Sequence, residues 1–284
     1  MEEKSWIVSM IQDFMATSPV NRMGEAFGEE KIWGMPVVRF ASGADELFQK
    51  YKTPEVCSEE HWLPAEAFAK FYPDSRAAAE ELAVISWILP QTAATKESLR
   101  RETANPSERW ARARIIGEKA NDALRLHVTD ALRAAGYEAG APMLHPEWRR
   151  LENVRRVYSS KWSERHAAYA AGHGTFGLCD ALITQVGKAH RLGSVVAKLK
   201  IAPDARPYKD IYEYCLYHRK GTCGLCAKKC PAGAITLEGG HDKRKCYDFL
   251  HGETPAYIKE HFGLDGYGCG FCQVGVPCES AIPS

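Results

Sequence analysis

Eight of the ten cysteines in this 284-residue chain, Cys215, Cys223, Cys226, Cys230, Cys246, Cys269, Cys272 and Cys278, fall in its last 70 residues, while Cys57 and Cys179 stand apart. In a reducing compartment disulfides explain such a cluster poorly, and thiolate ligation of metal explains it well. The compartment is read from the rest of the chain. Met-Glu-Glu-Lys-Ser at the N-terminus is acidic where a signal peptide is basic, and the best apolar run, Leu82–Pro90, is less than half of the roughly 20 residues a membrane span needs. A cytoplasmic protein with no membrane partner is expected. Lys and Arg number 37 against 36 Asp and Glu, which argues against a dedicated binder of nucleic acid or another polyanion. Residues 96–165 carry 15 basic and 10 acidic side chains. They read as solvated helix faces, with phosphate contact as the alternative.

Before the cysteines, helical and strand patterns interleave. Ser75 to Glu81 reads as a helical turn, and Ala83–Leu89, stopped by Pro90, as a buried strand. Asn105-Pro106-Ser107-Glu108 reads as a helix start capped by Asn105. Ile116, Ala120, Leu124, Val128 and Leu132 then keep a 3.6-residue period until Gly136. A further helix is expected from Ser163 to Ala171. Leu182–Val186 and Ser194–Leu199 read as the two strands of a hairpin. Together these make an α+β chain, with an α/β domain over residues 1–205, a linker at Pro203–Pro207, and a cysteine-rich domain over 206–284.

Cys223-Gly-Leu-Cys226-Ala-Lys-Lys-Cys230-Pro231 matches the last three-quarters of the bacterial ferredoxin run C-x2-C-x2-C-x3-C-P, and Cys269-Gly-Phe-Cys272 repeats its C-x2-C element. The fourth cysteine of that run ligates the other cluster of a pair. Crossed ligation therefore gives one [4Fe-4S] cluster Cys230, Cys246, Cys269 and Cys272, and the other Cys223, Cys226 and Cys278. The position three residues before Cys223 is Lys220, so the fourth ligand is either Cys215, with the chain looped out, a non-cysteine group, or an open iron. Zinc held by the two C-x2-C pairs is the alternative to clusters.

The remaining candidate is the glycine loop Gly172-His173-Gly174-Thr175-Phe176-Gly177, whose spacing lets a backbone approach a bulky ligand or simply turns a helix into a strand. His173 either approaches that ligand or bonds to backbone, the second being favoured; Cys179 reads as a small buried residue.

The stretch from Arg165 to Ile183, with its A-G-x-G-x-x-G pattern ahead of the cysteine module, resembles epoxyqueuosine reductases and corrinoid-dependent reductive dehalogenases. Leu82–Pro90 and Leu132-Arg-Ala-Ala-Gly136-Tyr137 extend the resemblance to roughly residues 70–284. It implies a nitroreductase-like α/β domain holding base-off cobalamin at Gly172–Gly177, followed by a ferredoxin-like domain with two [4Fe-4S] clusters. The clusters would reduce cobalt for a substrate not named by the sequence, fed by a low-potential donor of ferredoxin or flavodoxin type. Lys119 stands where the tRNA-acting members carry a catalytic acid. It is the catalytic candidate, with Glu118 or Asp122 requiring a shift of helix face, and tRNA becomes a less favoured partner. The rival reading is an electron-transfer protein, without substrate chemistry of its own, serving a partner enzyme.

Overall fold

The computed structural model describes residues 2–153 and 157–284, so Arg155 and Arg156 of the arginine-rich stretch lie outside the described residues. The chain runs through α1 (Glu2–Thr17), β1 (Val37–Ser42), α2 (Glu46–Tyr51), α3 (Pro64–Phe71), β2 (Leu82–Pro90), α4 (Ala93–Arg100) and α5 (Glu108–Ala134). It continues through β3 (Ala139–Gly140), β4 (Arg150–Asn153), β5 (Val157–Ser160), α6 (Glu164–Ala170), β6 (Gly174–Phe176), β7 (Leu182–Thr184) and β8 (His190–Lys198). The cysteine-rich end adds α7 (Leu216–Lys220), α8 (Leu225–Lys228), β9 (Ile235–Thr236), β10 (Gly240–His241), α9 (Lys243–Asp248) and α10 (Thr254–Phe262). Among the described residues no helix is long and apolar enough to cross a membrane.

The organising element is an antiparallel sheet in the order β1-β2-β8-β3. Successive side chains of a strand point to opposite faces, and β2 uses both. Ala83, Ile85, Trp87 and Leu89 pack with Ile7 and Ile11 of α1 and Leu124 and Val128 of α5. Leu82, Val84 and Ile88 pack with Phe48 of α2, Phe68 of α3 and Ala167 of α6. With both faces covered, β2 reads as an unbroken apolar run.

Local details depart from the sequence reading in three places. The helical turn is shorter, only Ala79–Glu81. The cap of α5 is Ser107, whose hydroxyl accepts from Trp110 N, and not Asn105. The expected hairpin does not form: β7 pairs with β6 of the glycine loop, while β8 pairs with β2 and β3. Periodicity identifies a strand but not its partner, and β8 finds a longer apolar neighbour in β2. The segment around Pro203–Pro207 is extended and tied down, with Asp204 accepting from Lys4 Nζ at 2.9 Å and Phe40 N at 2.8 Å.

The cysteine-rich end docks on the edge of this framework. Lys188 N and Ala189 N donate to the carbonyls of Cys278 and Glu279 at 2.9 and 3.2 Å. Trp110 Nε1 donates to Cys269 O, and Arg100 pairs with Glu279. Leu99, Trp110, Ala189, Phe271 and Val274 form one buried apolar cluster drawn from both ends of the chain.

Candidate functional site

Helix α5 is fixed in rotation by its buried polar contacts. Trp87 Nε1 donates to Asn121 Oδ1 at 2.9 Å, and Asn121 Nδ2 donates to Leu192 O at 2.9 Å. With that face on the sheet, Arg114, Glu118 and Arg125, spaced four and seven residues apart, project together into a cavity of about 530 Å³. Lys119, one step round the helix, is exposed and lines no part of it. A rotation of about 100° per residue separates it from Glu118, which takes the cavity-facing position.

Glu118 is the hub of a charge network. It accepts from Arg191 Nε at 2.5 Å and from Arg125 Nη1 at 3.4 Å, with Arg114 Nη1 at 3.6 Å. Burial works to raise its pKa, but Arg191, Arg125 and Arg114 more than offset this and hold it down to about 2. Arg125 is 1% exposed and also meets Asp122 Oδ1 at 2.6 Å, Glu164 Oε1 at 3.1 Å and Leu192 O at 3.1 Å. Across the cavity, Tyr267 Oη accepts from Arg114 Nη2 at 2.8 Å and Arg150 Nη2 at 3.2 Å. Burial and the neighbouring Arg191 push Arg114 down to about 10. Arg114, Arg125, Arg150 and Arg165, all from the stretch read as solvated helix faces, line this cavity.

The cysteines form two groups. Cys215, Cys223, Cys226 and Cys278 line one small cavity. Cys230, Cys246, Cys269 and Cys272 line the large one. The route to Cys215 is local: it precedes the one-turn helix α7, and Gly221, at φ +66°, turns the chain back to Cys223. Lys220 is the last residue of that helix. Each cavity has one of the expected four-thiol sets in its wall, the large one also Cys57 and Cys179, and four thiols are a donor set that fits a [4Fe-4S] cluster.

The glycine loop has a different surrounding from the one expected. All six residues Gly172, His173, Gly174, Thr175, Phe176 and Gly177 are buried, and none lines either cavity. A Cβ on Gly174 would stand 1.9 Å from Ile183 O, and one on Gly172 2.8 Å from Ala205 O. The close approach that the glycines permit is therefore to the chain's own backbone. Thr175 Oγ1 accepts from Tyr214 N at 2.8 Å, and Phe176 N donates to Ile211 O at 2.7 Å. His173 Nε2 lies 3.1 Å from Ser86 O, so it is the protonated nitrogen, and burial pushes this imidazole down to about 3.

Two cysteines to which the sequence gives no functional role stand close to the site. Cys179 Sγ lies 3.3 Å from Lys188 Nζ and interacts with the thiols of Cys226 and Cys272, one from each group. Cys57 lines the large cavity with its Sγ 3.4 Å from His166 Nδ1. Neither has a spacing signal, because each meets its neighbours only through tertiary packing.

A family model described as a 4Fe-4S double cluster binding domain matches residues 220–277. The chain is 30% identical over 131 residues to an epoxyqueuosine reductase of Bacillus cereus, covering 45% of this chain and 32% of that protein. It is 32% identical over 116 residues to a tetrachloroethene reductive dehalogenase of Desulfitobacterium hafniense, covering 40% of this chain and 20% of that protein. A crystal structure of an epoxyqueuosine reductase superposes with a TM-score of 0.47 at 16% identity, covering 100% of this chain and 69% of that one. These sequence alignments span a third or less of the curated relatives' own length.

Proposed function

We propose that this chain, similar over part of its length to epoxyqueuosine reductases and reductive dehalogenases, is a two-cluster iron–sulfur reductase. Its cysteine-rich end delivers electrons into the large cavity. The observation that carries this reading is that Cys230, Cys246, Cys269 and Cys272 form part of the wall of that cavity. A cluster on those thiols adjoins whatever occupies the space. Its volume of about 530 Å³ lies within the roughly 300–1,000 Å³ of small-molecule and cofactor sites.

The corrinoid that the resemblance implies has its entry at this cavity and not at the closed glycine loop. Trp148, Tyr158 and Tyr247 offer aromatic walls for a macrocycle, and Arg150 and Lys243 offer cations for a phosphodiester tail. When bound, the cofactor supplies a low-valent cobalt that acts as nucleophile or reductant. The chain's own residues hold the Glu118–Arg125–Glu164 network rigid beside it and keep Tyr267 oriented between two guanidinium groups. A donor of ferredoxin or flavodoxin type would meet the Cys223 side. From Tyr214 to Leu237 the chain has no acidic residue, and Arg219, Lys220 and Lys228 are exposed there, a complement to an acidic partner.

Anaerobic reconstitution with iron and sulfide, followed by visible spectra with and without hydroxocobalamin, tests both parts. Two clusters' worth of iron and sulfide, with a shifted corrin spectrum retained through gel filtration, is the expected result. A colourless protein holding zinc and no iron overturns the whole reading. Clusters without corrin retention overturn the corrinoid part and leave an electron-transfer protein serving a partner enzyme, the rival that the filled glycine loop favours.

A further inference from the structure

Lys188 stands between the two groups of thiols. It is 2% exposed and lines both the small cavity and the large one. Its Nζ lies 3.3 Å from Cys179 Sγ, and the groups acting on its ammonium are the thiols of Cys179, Cys278, Cys226 and Cys272. Cys226 and Cys278 belong to one group and Cys272 to the other. Among the described residues no carboxylate forms an ion pair with it. Its backbone is held too, with its N–H donating to Cys278 O at 2.9 Å.

A buried ammonium without an anion costs several kcal/mol of desolvation. Neutral thiols offset little of that, whereas four thiolates around an iron–sulfur core carry net negative charge on each side of the nitrogen. In the metal-free protein the Cys179 sulfur 3.3 Å away is the nearest partner of the Lys188 ammonium, and two loaded clusters add net negative charge on both sides of it. Resting on the two-cluster reading above, we propose that Lys188 is the shared counter-charge of both clusters and raises the reduction potential of each. One-electron reduction of a cluster adds one negative charge with no bond made or broken, and a cation held in a low-dielectric interior stabilises that added charge. Lys228 is exposed and screened by water, so it has no comparable effect.

The test uses the reconstituted full chain, with dithionite as the electron source and electron paramagnetic resonance recorded through a mediated redox titration. Lys188→Met is expected to keep its iron and sulfide and to lower the midpoint potential of both clusters. A tenfold change in each reduction equilibrium, about 59 mV for one electron, is the scale expected. Lys188→Arg, which keeps the charge, is expected to stay close to the unaltered protein. Unchanged potentials with full iron content, or a shift in only one cluster, overturn the proposal. Should Lys188→Met fail to take up iron, Lys188→Arg decides: full iron with parental potentials supports a charge role, and loss of iron there too makes the position one of packing and overturns it. Absence of iron from the unaltered protein is a separate result, and strikes at the two-cluster reading instead.

Discussion

At the scale of single residues, the buried histidines set how this fold meets acid. His61 and His190 are pushed down to about 4 and His173 to about 3, in each case chiefly by burial. A histidine freed by unfolding takes up its proton near pH 6.5, so between that value and the folded one the unfolded chain binds protons that the native chain cannot. Stability is therefore whole above pH 6.5 and falls as the pH drops towards 4. His61 isolates the effect, because it is 1% exposed and packed against Trp162 and Tyr51. His61→Phe is expected to remove its share of the acid loss, up to about 1.4 kcal/mol per pH unit. Urea melts of parent and variant at pH 7.5 and 5.0 measure this. A difference between the two proteins that does not change with pH would rule it out.

At the scale of elements, α5 shows what could be read from the sequence and what could not. Its length and apolar stripe follow from local periodicity, and the structure has them as Glu108–Ala134. Its start was assigned to Asn105 because Asn-Pro is a common entry, yet Ser107 holds the Trp110 amide. Ser107→Ala is expected to cost about 1 kcal/mol and Asn105→Ala to leave stability nearly unchanged; a urea midpoint lower for Asn105→Ala than for Ser107→Ala would return the cap to Asn105. Which of Lys119 and Glu118 faces the cavity was not legible for a related reason. The periodicity fixes which face is apolar, but Asn121 and Trp87 fix the helix's rotation, and that contact is between elements far apart in sequence. The strands tell the same story: β2 was legible as an apolar run, whereas its pairing with β8 depends on a partner far along the chain that no local pattern names. The cysteine groups were the most legible part of the site, since ligand spacing within a short loop is itself local chemistry. Lys188, delivered by the turn before β8, carried no such mark.

At the scale of the whole molecule, the cysteine-rich end is docked on the sheet domain through a shared interior. Trp110, on α5, is 3% exposed and packs in one cluster with Leu99, Phe271 and Val274, the last two lying between the thiols of Cys269 and Cys278. A Cβ on Gly270 would lie 2.1 Å from its ring, so the loop carrying Cys269 is pressed against the indole. If the clusters hold that loop together, their loss exposes Trp110 and also frees Arg100 and Glu279 from each other. Chelation of iron under anaerobic conditions is therefore expected to shift tryptophan emission to the red and to lower the melting temperature of the whole chain in one transition. Trp110→Phe assigns the signal, because in that variant the red shift should shrink while the fall in melting temperature remains. Two separate transitions, with the sheet domain melting at the same temperature with and without iron, would show instead that the docking surface persists without the clusters. The docking is then a property of the apolar cluster and its hydrogen bonds alone, and the metal contributes only to the loops that hold it.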